Sequence, residues 1–327
     1  MLDKEGGRER CKRFPPFATG SMERATDDDA DIPLSIYSRK PSGGVVMSAD
    51  PFIIDGPCLW SFSGGRTSAY MLWRALQSYK GLLPANHVVA FANTGKERPE
   101  TLRFVHECSS RWGVKIVWLE FVSRSGPSAG RYERVSYNSS SRDGEPFARL
   151  IKAKSYAPNS VMRFCTEEMK VNTIRHFIAA ELGWTEWSNA VGLRHDEGHR
   201  VMKALARNHE GKSPWVTKVP LANAKVTVRD VKAFWEAQPF DLGLRSYEGN
   251  CDLCFLKGRG TIKALIREKP GCADWWIEQE RTNKGRFSKE HSYADLAREV
   301  AQQPHLFDEP LDDEHDAECG LWCGGEE

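Results

Sequence analysis

Between Cys58 and Phe121, short apolar runs alternate with amphipathic stretches of helical period, and this alternation limits what the chain can fold into more than any other feature. Cys58-Leu59-Trp60-Ser61-Phe62 predicts a strand, and Thr67 to Lys80 a helix with Leu72, Ala75, Leu76 and Tyr79 on one face. A second strand is expected at Val88-Val89-Ala90-Phe91-Ala92. A helix from about Pro99 to Trp112 follows, burying Leu102, Val105, Cys108 and Trp112, and then a third strand from Val114 to Phe121. A β-α-β-α-β order demands parallel strands joined by right-handed crossovers, with a ligand crevice at their carboxyl ends. The expected class is α/β, a mostly parallel sheet with helices on both faces.

The α/β pattern returns with a helix from Val171 to Leu182, a strand from Ser188 to Leu193 and a helix from Val228 to Ala237. Between them, Ser123 to Asn159 is rich in Ser, Gly, Arg and Pro and reads as a long loop or lid. Beyond Asn250, helices are expected near Gly260 to Arg267 and Ala273 to Arg281. Residues 1–50 carry the acidic run Asp27-Asp28-Asp29-Ala30-Asp31 and no sustained period, so they read as a disordered extension; Met47 is compatible with an internal start. The expected organisation is therefore residues 1–50 as extension, 51–249 as a nucleotide-binding α/β domain, and 250–327 as a small helical cysteine-bearing module with a mobile tail.

With 327 residues, 40% of them hydrophobic, the chain can bury one large core with an appended module. Its 46 basic and 45 acidic residues argue against a general nucleic-acid coat or membrane-surface protein, while leaving a local basic groove open. No apolar run approaches the roughly 20 residues that span a bilayer, and MLDKEGGRERCKRF lacks the apolar stretch of a secretory signal. A cytoplasmic location is expected. In a reducing compartment nine cysteines point away from disulfides and toward metal binding or catalysis.

Ser63-Gly64-Gly65-Arg66-Thr67-Ser68 lies between the first strand and the first helix, where backbone N–H groups and the positive helix end can face phosphate. The glycines allow close backbone approach, the hydroxyls of Ser63, Thr67 and Ser68 add donors, and Arg66 adds charge. The Gly-Lys-Ser/Thr ending of a Walker loop is missing. Asn93-Thr94-Gly95-Lys96-Glu97-Arg98-Pro99-Glu100-Thr101 follows the second strand at the same sheet edge. Together, SFSGGRTS and NTGKERPET resemble the phosphoadenosine phosphosulfate reductase family of the adenine nucleotide α-hydrolase-like, or PP-loop, superfamily. That resemblance implies a Rossmann-like sheet whose SGG loop holds phosphate or sulfate groups, with Asn93, Thr94 and Gly95 beside the nucleotide. Gly192-Leu193-Arg194-His195-Asp196-Glu197-Gly198-His199-Arg200 is similar to the family's Gly-x-Arg-x-x-Glu-x-x-Arg pattern; Arg194 and Arg200 can fork onto anionic oxygens, and Glu197 can orient an arginine or support a metal.

Cys251-Asp252-Leu253-Cys254 is a CxxC whose thiolates can converge on one metal, and Cys165 stands at the start of a predicted helix, which favours a thiolate. The cluster-bearing adenylylsulfate reductases have paired cysteines in the segment equivalent to Arg163-Phe164-Cys165 and a later CxxC; here Phe164 replaces one of the pair. The resemblance implies a 4Fe-4S cluster held by Cys165, Cys251, Cys254 and a fourth ligand, with Cys323 favoured over Cys272, and zinc is the rival metal. Cys58 and Cys108 are expected in the core. The tail Glu318-Cys319-Gly320-Leu321-Trp322 resembles the Glu-Cys-Gly-Leu-His tail of the reductases, whose cysteine attacks the sulfur of the bound sulfonucleotide, but Trp322 stands in place of the histidine.

Three functions are therefore open. Through the resemblance, Cys319 reduces adenylylsulfate or its 3′-phosphorylated form, and a thioredoxin-like thiol releases sulfite. Alternatively the loop positions ATP with Mg2+ to adenylate a nucleic-acid substrate before sulfur transfer, a reading that Arg131, Arg134, Arg142, Arg149, Lys152 and Lys154 also suit. The third is a nucleotide-binding regulator without turnover.

Overall fold

The computed structural model describes residues 50–123, 131–249, 251–283 and 285–302; the N-terminal extension, Cys319 and Cys323 lie outside the described residues. The strands are β1 (Cys58–Ser61), β2 (His87–Asn93), β3 (Ile116–Ser123), β4 (Arg131–Val135), β5 (Trp187–Ala190) and β6 (Trp215–Lys218). The helices are α1 (Arg66–Ser78), α2 (Pro99–Trp112), α3 (Glu145–Lys154), α4 (Phe164–Thr166), α5 (Thr173–Phe177), α6 (Gly198–Glu210), α7 (Pro220–Asn223), α8 (Val228–Glu236), α9 (Arg259–Glu268), α10 (Asp274–Thr282) and α11 (Tyr293–Gln302). The strands form one sheet in the order β4-β3-β2-β1-β5-β6, parallel throughout except for β4, which runs antiparallel to β3.

Alternation along each strand sorts side chains onto two covered faces. Cys58, Trp60, Val89, Phe91, Ile116 and Trp118 enter one core with Leu72, Leu76, Leu102, Val105 and Trp235. Leu59, Ala90, Ala92, Val117 and Leu119 enter the other with Ile174, Phe177 and Ile178. Burying a side chain of the size of Phe91 or Leu72 contributes about 1.5–3 kcal/mol relative to exposure, so the alternation sets the register firmly. The α/β class, the mostly parallel sheet and the helices on both faces are as expected.

Helix α2 begins with Pro99 in its first turn and ends at Gly113, whose φ of 64° takes the left-handed conformation that terminates helices. Thr227 and Asp230 form a reciprocal capping box at the start of α8.

The segment 123–159 differs from a structureless lid. It contains β4, which extends the sheet, and α3, which buries Phe147, Leu150 and Ile151. The helix expected from Val171 begins earlier, at Phe164, and continues through π-helical turns at Glu167–Asn172 and Ile178–Leu182. The C-terminal cysteine-bearing region shares a core with the α/β layer: Phe121, Phe147 and Phe164 pack with Leu253, Ile262, Trp276, Phe287 and Leu296. Among the described residues no helix is long and apolar enough to cross a membrane.

Candidate functional site

The chain leaves β1, winds outward through β2 and β3, and returns to the other side of β1 with β5. That reversal makes the carboxyl end of β1 the topological switch point, where open α/β sheets form their ligand crevice. The loops after β1 and β5 meet there. A Cβ on Gly192 would lie 3.1 Å from the Ser68 Cα, and Arg194 donates from Nη1 to Thr67 Oγ1 at 3.1 Å.

Within the first loop, Gly64 has φ +85°, and a Cβ there would lie 2.7 Å from Thr101 Cγ2 and 3.2 Å from Phe91. The turn is therefore pressed onto β2 and α2, where only glycine fits. Gly65 takes extended backbone before α1, with φ −94°. Ser63 donates from Oγ to Ser68 Oγ at 2.9 Å, and Ser68 Oγ donates to the Gly65 carbonyl at 3.0 Å, which closes the loop on itself. The Arg66 guanidinium grips Asp241 at 2.7 and 2.5 Å and donates to the Leu244 carbonyl at 2.9 Å. Burial would raise the Asp241 carboxyl, but the hydrogen bonds from Arg66 and the Gly243 N–H outweigh it and hold its pKa below the usual 3.8. Trp235 Nε1 donates to the Arg66 carbonyl at 3.0 Å, tying α8 to the same loop.

After β5, Arg194 is buried and pairs with Asp196 at 3.1 Å, while its own N–H is capped by Glu197 Oε2 at 2.8 Å. Glu197 Oε1 pairs with Arg200. Asp196 also accepts the Val228 N–H at 3.1 Å, which anchors the loop to α8.

The loop after β2 is held by two buried carboxylates. Asn93 donates to Glu120 Oε1 at 2.6 Å and to the Ser141 carbonyl at 2.8 Å, and its Oδ1 accepts the Gly95 N–H at 3.1 Å. Glu120 further accepts Ser141 N–H and Oγ–H, both at 2.7 Å. Glu97 Oε2 accepts the Thr94 N–H at 2.8 Å and its hydroxyl at 2.7 Å, while Glu97 Oε1 faces the buried Lys170 Nζ at 3.7 Å. Gly95 has φ +78°, and a Cβ there would press on Pro146 at 2.9 Å.

Behind this loop lies a narrow cavity of about 20 Å³, walled by Thr94, Cys165, Met169, Lys170, Cys251 and Cys254 among others. Cys165 and the two cysteines of the distant CxxC thus face one space. Thr94 Oγ1 lies 3.5 Å from Cys251 Sγ, so the β2 loop touches both the crevice and the cavity. The CxxC is docked from below: Glu97 and Cys251 form a β-bridge, the Asp252 N–H donates to the Lys96 carbonyl at 2.8 Å, and Lys96 Nζ pairs with Asp252 at 2.9 Å. Burial, with Glu97 and Cys254 nearby, pushes the Cys251 thiol well above its ordinary range. Burial likewise lowers Lys257, whose Nζ donates to the Gly249 and Cys251 carbonyls at 2.5 and 2.9 Å.

Among the described residues no three His, Cys, Asp or Glu side chains close into a metal-holding set. The residue types nevertheless suit a thiolate-held group, since three thiols share one largely apolar cavity beside Phe147, Phe255 and Trp276. Cys272 packs half-buried and donates weakly to the Leu265 carbonyl at 3.7 Å. Cys58 and Cys108 are buried in the first core, where burial pushes Cys58 up to about 12.

Sequence reasoning passed over Glu120, Lys170 and Asp241 as site residues. Cys165 and Lys170 are five residues apart, which a regular α-helix places on different faces; with the π-turn at Glu167–Asn172 following Cys165, both line the cavity. Glu120 falls in an apolar strand that gives no sign of its polar partners, and Asp241 lies 175 residues from Arg66. Of the basic residues in 131–154, Arg134 pairs with Glu181, Arg149 with Glu133 and Lys154 with Glu168, while Arg142 donates to the Ser140 and Tyr137 carbonyls.

No family model matches the chain. It is 28% identical over 217 residues to the uncharacterized nin region protein ORF290 of Escherichia phage lambda, covering 64% of this chain and 70% of that protein. Among solved structures, the U34-tRNA thiolase NcsA from Methanococcus maripaludis with its [4Fe-4S] cluster aligns at 12% identity and a TM-score of 0.29, covering 76% of this chain and 73% of that one. A likeness this slight carries no argument about activity.

Proposed function

We propose that the chain is a PP-loop-type enzyme that binds ATP at the β1/β5 switch point, adenylates an acceptor in nucleic acid and passes sulfur to it through the cysteine cavity. The contact of Thr94 Oγ1 with Cys251 Sγ at 3.5 Å carries this reading, because one loop joins the nucleotide crevice to a cavity lined by three thiols. Arg66 and Arg194 are engaged with Asp241 and Asp196, which favours a triphosphate that arrives with its own Mg2+ over a sulfonucleotide that depends on protein cations. In the first step an acceptor oxygen attacks the α-phosphorus, the α–β anhydride bond breaks, and pyrophosphate leaves with the bonding electrons. A hydrosulfide sulfur then displaces AMP, which carries the acceptor oxygen away. Cys165, Cys251 and Cys254 would hold a 4Fe-4S cluster through three of its irons; when bound, such a cluster would supply a site for sulfur at the iron those three thiolates leave open.

The second reading, sulfonucleotide reduction by Cys319 with a thioredoxin-like reductant, draws on the Glu318-Cys319-Gly320-Leu321 sequence. One experiment separates the two. Anaerobic, reduced full-length protein is given Mg-ATP with bulk transfer RNA or single-stranded DNA, and in parallel adenylylsulfate or its 3′-phosphorylated form. Pyrophosphate and AMP release dependent on the nucleic acid is expected. Sulfite release with a thiol-removable adduct on Cys319, and no pyrophosphate, would replace adenylation with reduction.

A further inference from the structure

Three of the seven large apolar side chains exposed among the described residues fall within one short stretch: Tyr156 at 38%, Val161 at 67% and Met162 at 47% exposure. The stretch links α3 to α4 and ends at Arg163 and Cys165, both of which line the cysteine cavity. It is a built segment. Ala157 is buried against Gly285, where a Cβ would lie 3.1 Å from the Ala157 nitrogen. Asn159 Oδ1 accepts the N–H groups of Val161 and Met162 at 3.0 and 2.9 Å, so hydrogen bonds hold these side chains out into solvent.

The charge of the stretch is one-sided. From 149 to 163 the sequence RLIKAKSYAPNSVMR contains four basic residues and no carboxylate. Arg149 and Lys154 pair with Glu133 and Glu168, whereas among the described residues neither Lys152 nor Arg163 has a carboxylate at ion-pair distance. Arg163 Nε donates only weakly, to the Ser160 carbonyl at 3.3 Å. Unneutralised cations interleaved with an exposed ring and a polarizable thioether suit a ligand with an anionic backbone and flat apolar faces.

The geometry points to residues 152–163 as the docking surface for a single-stranded nucleic-acid segment, its phosphates on Lys152 and Arg163 and a base against Tyr156 and Met162, at the mouth of the cysteine cavity. This deepens the nucleic-acid reading above and rests on it for the acceptor, but binding is measured without turnover. A duplex does not suit the surface, because stacking on Tyr156 and Met162 needs a base out of its pair.

The test is fluorescence anisotropy of full-length protein with labelled 20-nucleotide single strands of RNA and DNA at two salt concentrations, without nucleotide. Lys152→Glu with Arg163→Glu is expected to weaken binding at least about tenfold and to reduce the log–log salt slope by about one per lysine or arginine removed. Tyr156→Ala and Met162→Ser are each expected to weaken it about fivefold or more, in keeping with loss of a stacked base. Lys152→Glu and Met162→Ser should leave ATP affinity unchanged, which shows that the fold is intact. Gly64→Ala, in contrast, should weaken ATP binding and spare the oligonucleotide, so failure of the nucleotide site is distinguishable from failure of this surface. Equal binding by all surface variants, or equal affinity for a blunt duplex of the same length, would overturn the proposal. So would binding that responds to Tyr156→Ala but ignores salt and both charge reversals, which would make the patch an apolar protein-docking surface instead.

Discussion

The two glycines of the first loop have different jobs. Gly64 sits at φ +85° with Thr101 Cγ2 only 2.7 Å from a would-be Cβ, so any side chain there meets both backbone strain and a packed neighbour. Gly65 has an ordinary extended φ of −94°, so the fold itself does not demand glycine there, and its proposed role is to leave room for a ligand. Gly64→Ala is expected to cost about 1–3 kcal/mol of stability as well as nucleotide affinity, the usual scale for a residue forced into a sparsely populated conformation. Gly65→Ala should keep the melting temperature close to wild type while ATP affinity falls. Paired melting curves and calorimetry check this, and equal destabilisation by both substitutions would contradict the division of roles. The pair of glycines was visible in sequence as a phosphate-loop feature; which of them the fold itself demands depends on β2 and α2 packing against the turn. Arg66 teaches the same lesson, since its charge suggested a phosphate ligand and only the folded chain shows it on Asp241.

Strands β1 to β3 and helices α1 and α2 were legible because both faces of the sheet are covered and each helix has one buried stripe, so burial writes its period into the residues. Strand β4 was not. It lies at the sheet edge, where Arg131-Tyr132-Glu133-Arg134-Val135 needs no apolar alternation to pair with β3. Helix α3 did carry its signal in Phe147, Leu150 and Ile151 at helical spacing, but the surrounding Ser, Gly and Arg masked it. The turn between these two elements is pinned to the β2 loop by Glu120, which gathers donors from Asn93 and Ser141. Glu120→Ala leaves buried donors without a partner and is expected to cost about 2–3 kcal/mol. Because Asn93 loses its anchor, ATP affinity should fall with it. A thermal melt that moves by less than a degree would show that this carboxylate does not hold the loop.

At the scale of the whole molecule, the C-terminal cysteine-bearing region and the α/β layer meet around one cavity, and the cavity exists only because Thr94, Cys165 and the CxxC are brought together from three parts of the chain. Anaerobic reconstitution with iron and sulfide is expected to give a brown protein with broad iron–sulfur absorbance, and Cys251→Ser or Cys254→Ser to remove most of the iron. Stoichiometric zinc with no iron, measured by metal analysis, would assign the thiols to the rival metal. By itself the sequence determined the α/β class, the parallel run of the central strands and the edge on which the three loops gather, because these follow from local periodicity and from the handedness of parallel crossovers. Tertiary structure alone decided that Arg66 and Arg194 are engaged with carboxylates and that Lys170 and Cys165 line one cavity. It also decided that Glu120 and Glu97 hold the β2 loop. Polar partnership is chosen by distance in space, across as many as 175 residues of chain for Arg66 and Asp241, and no local pattern records it.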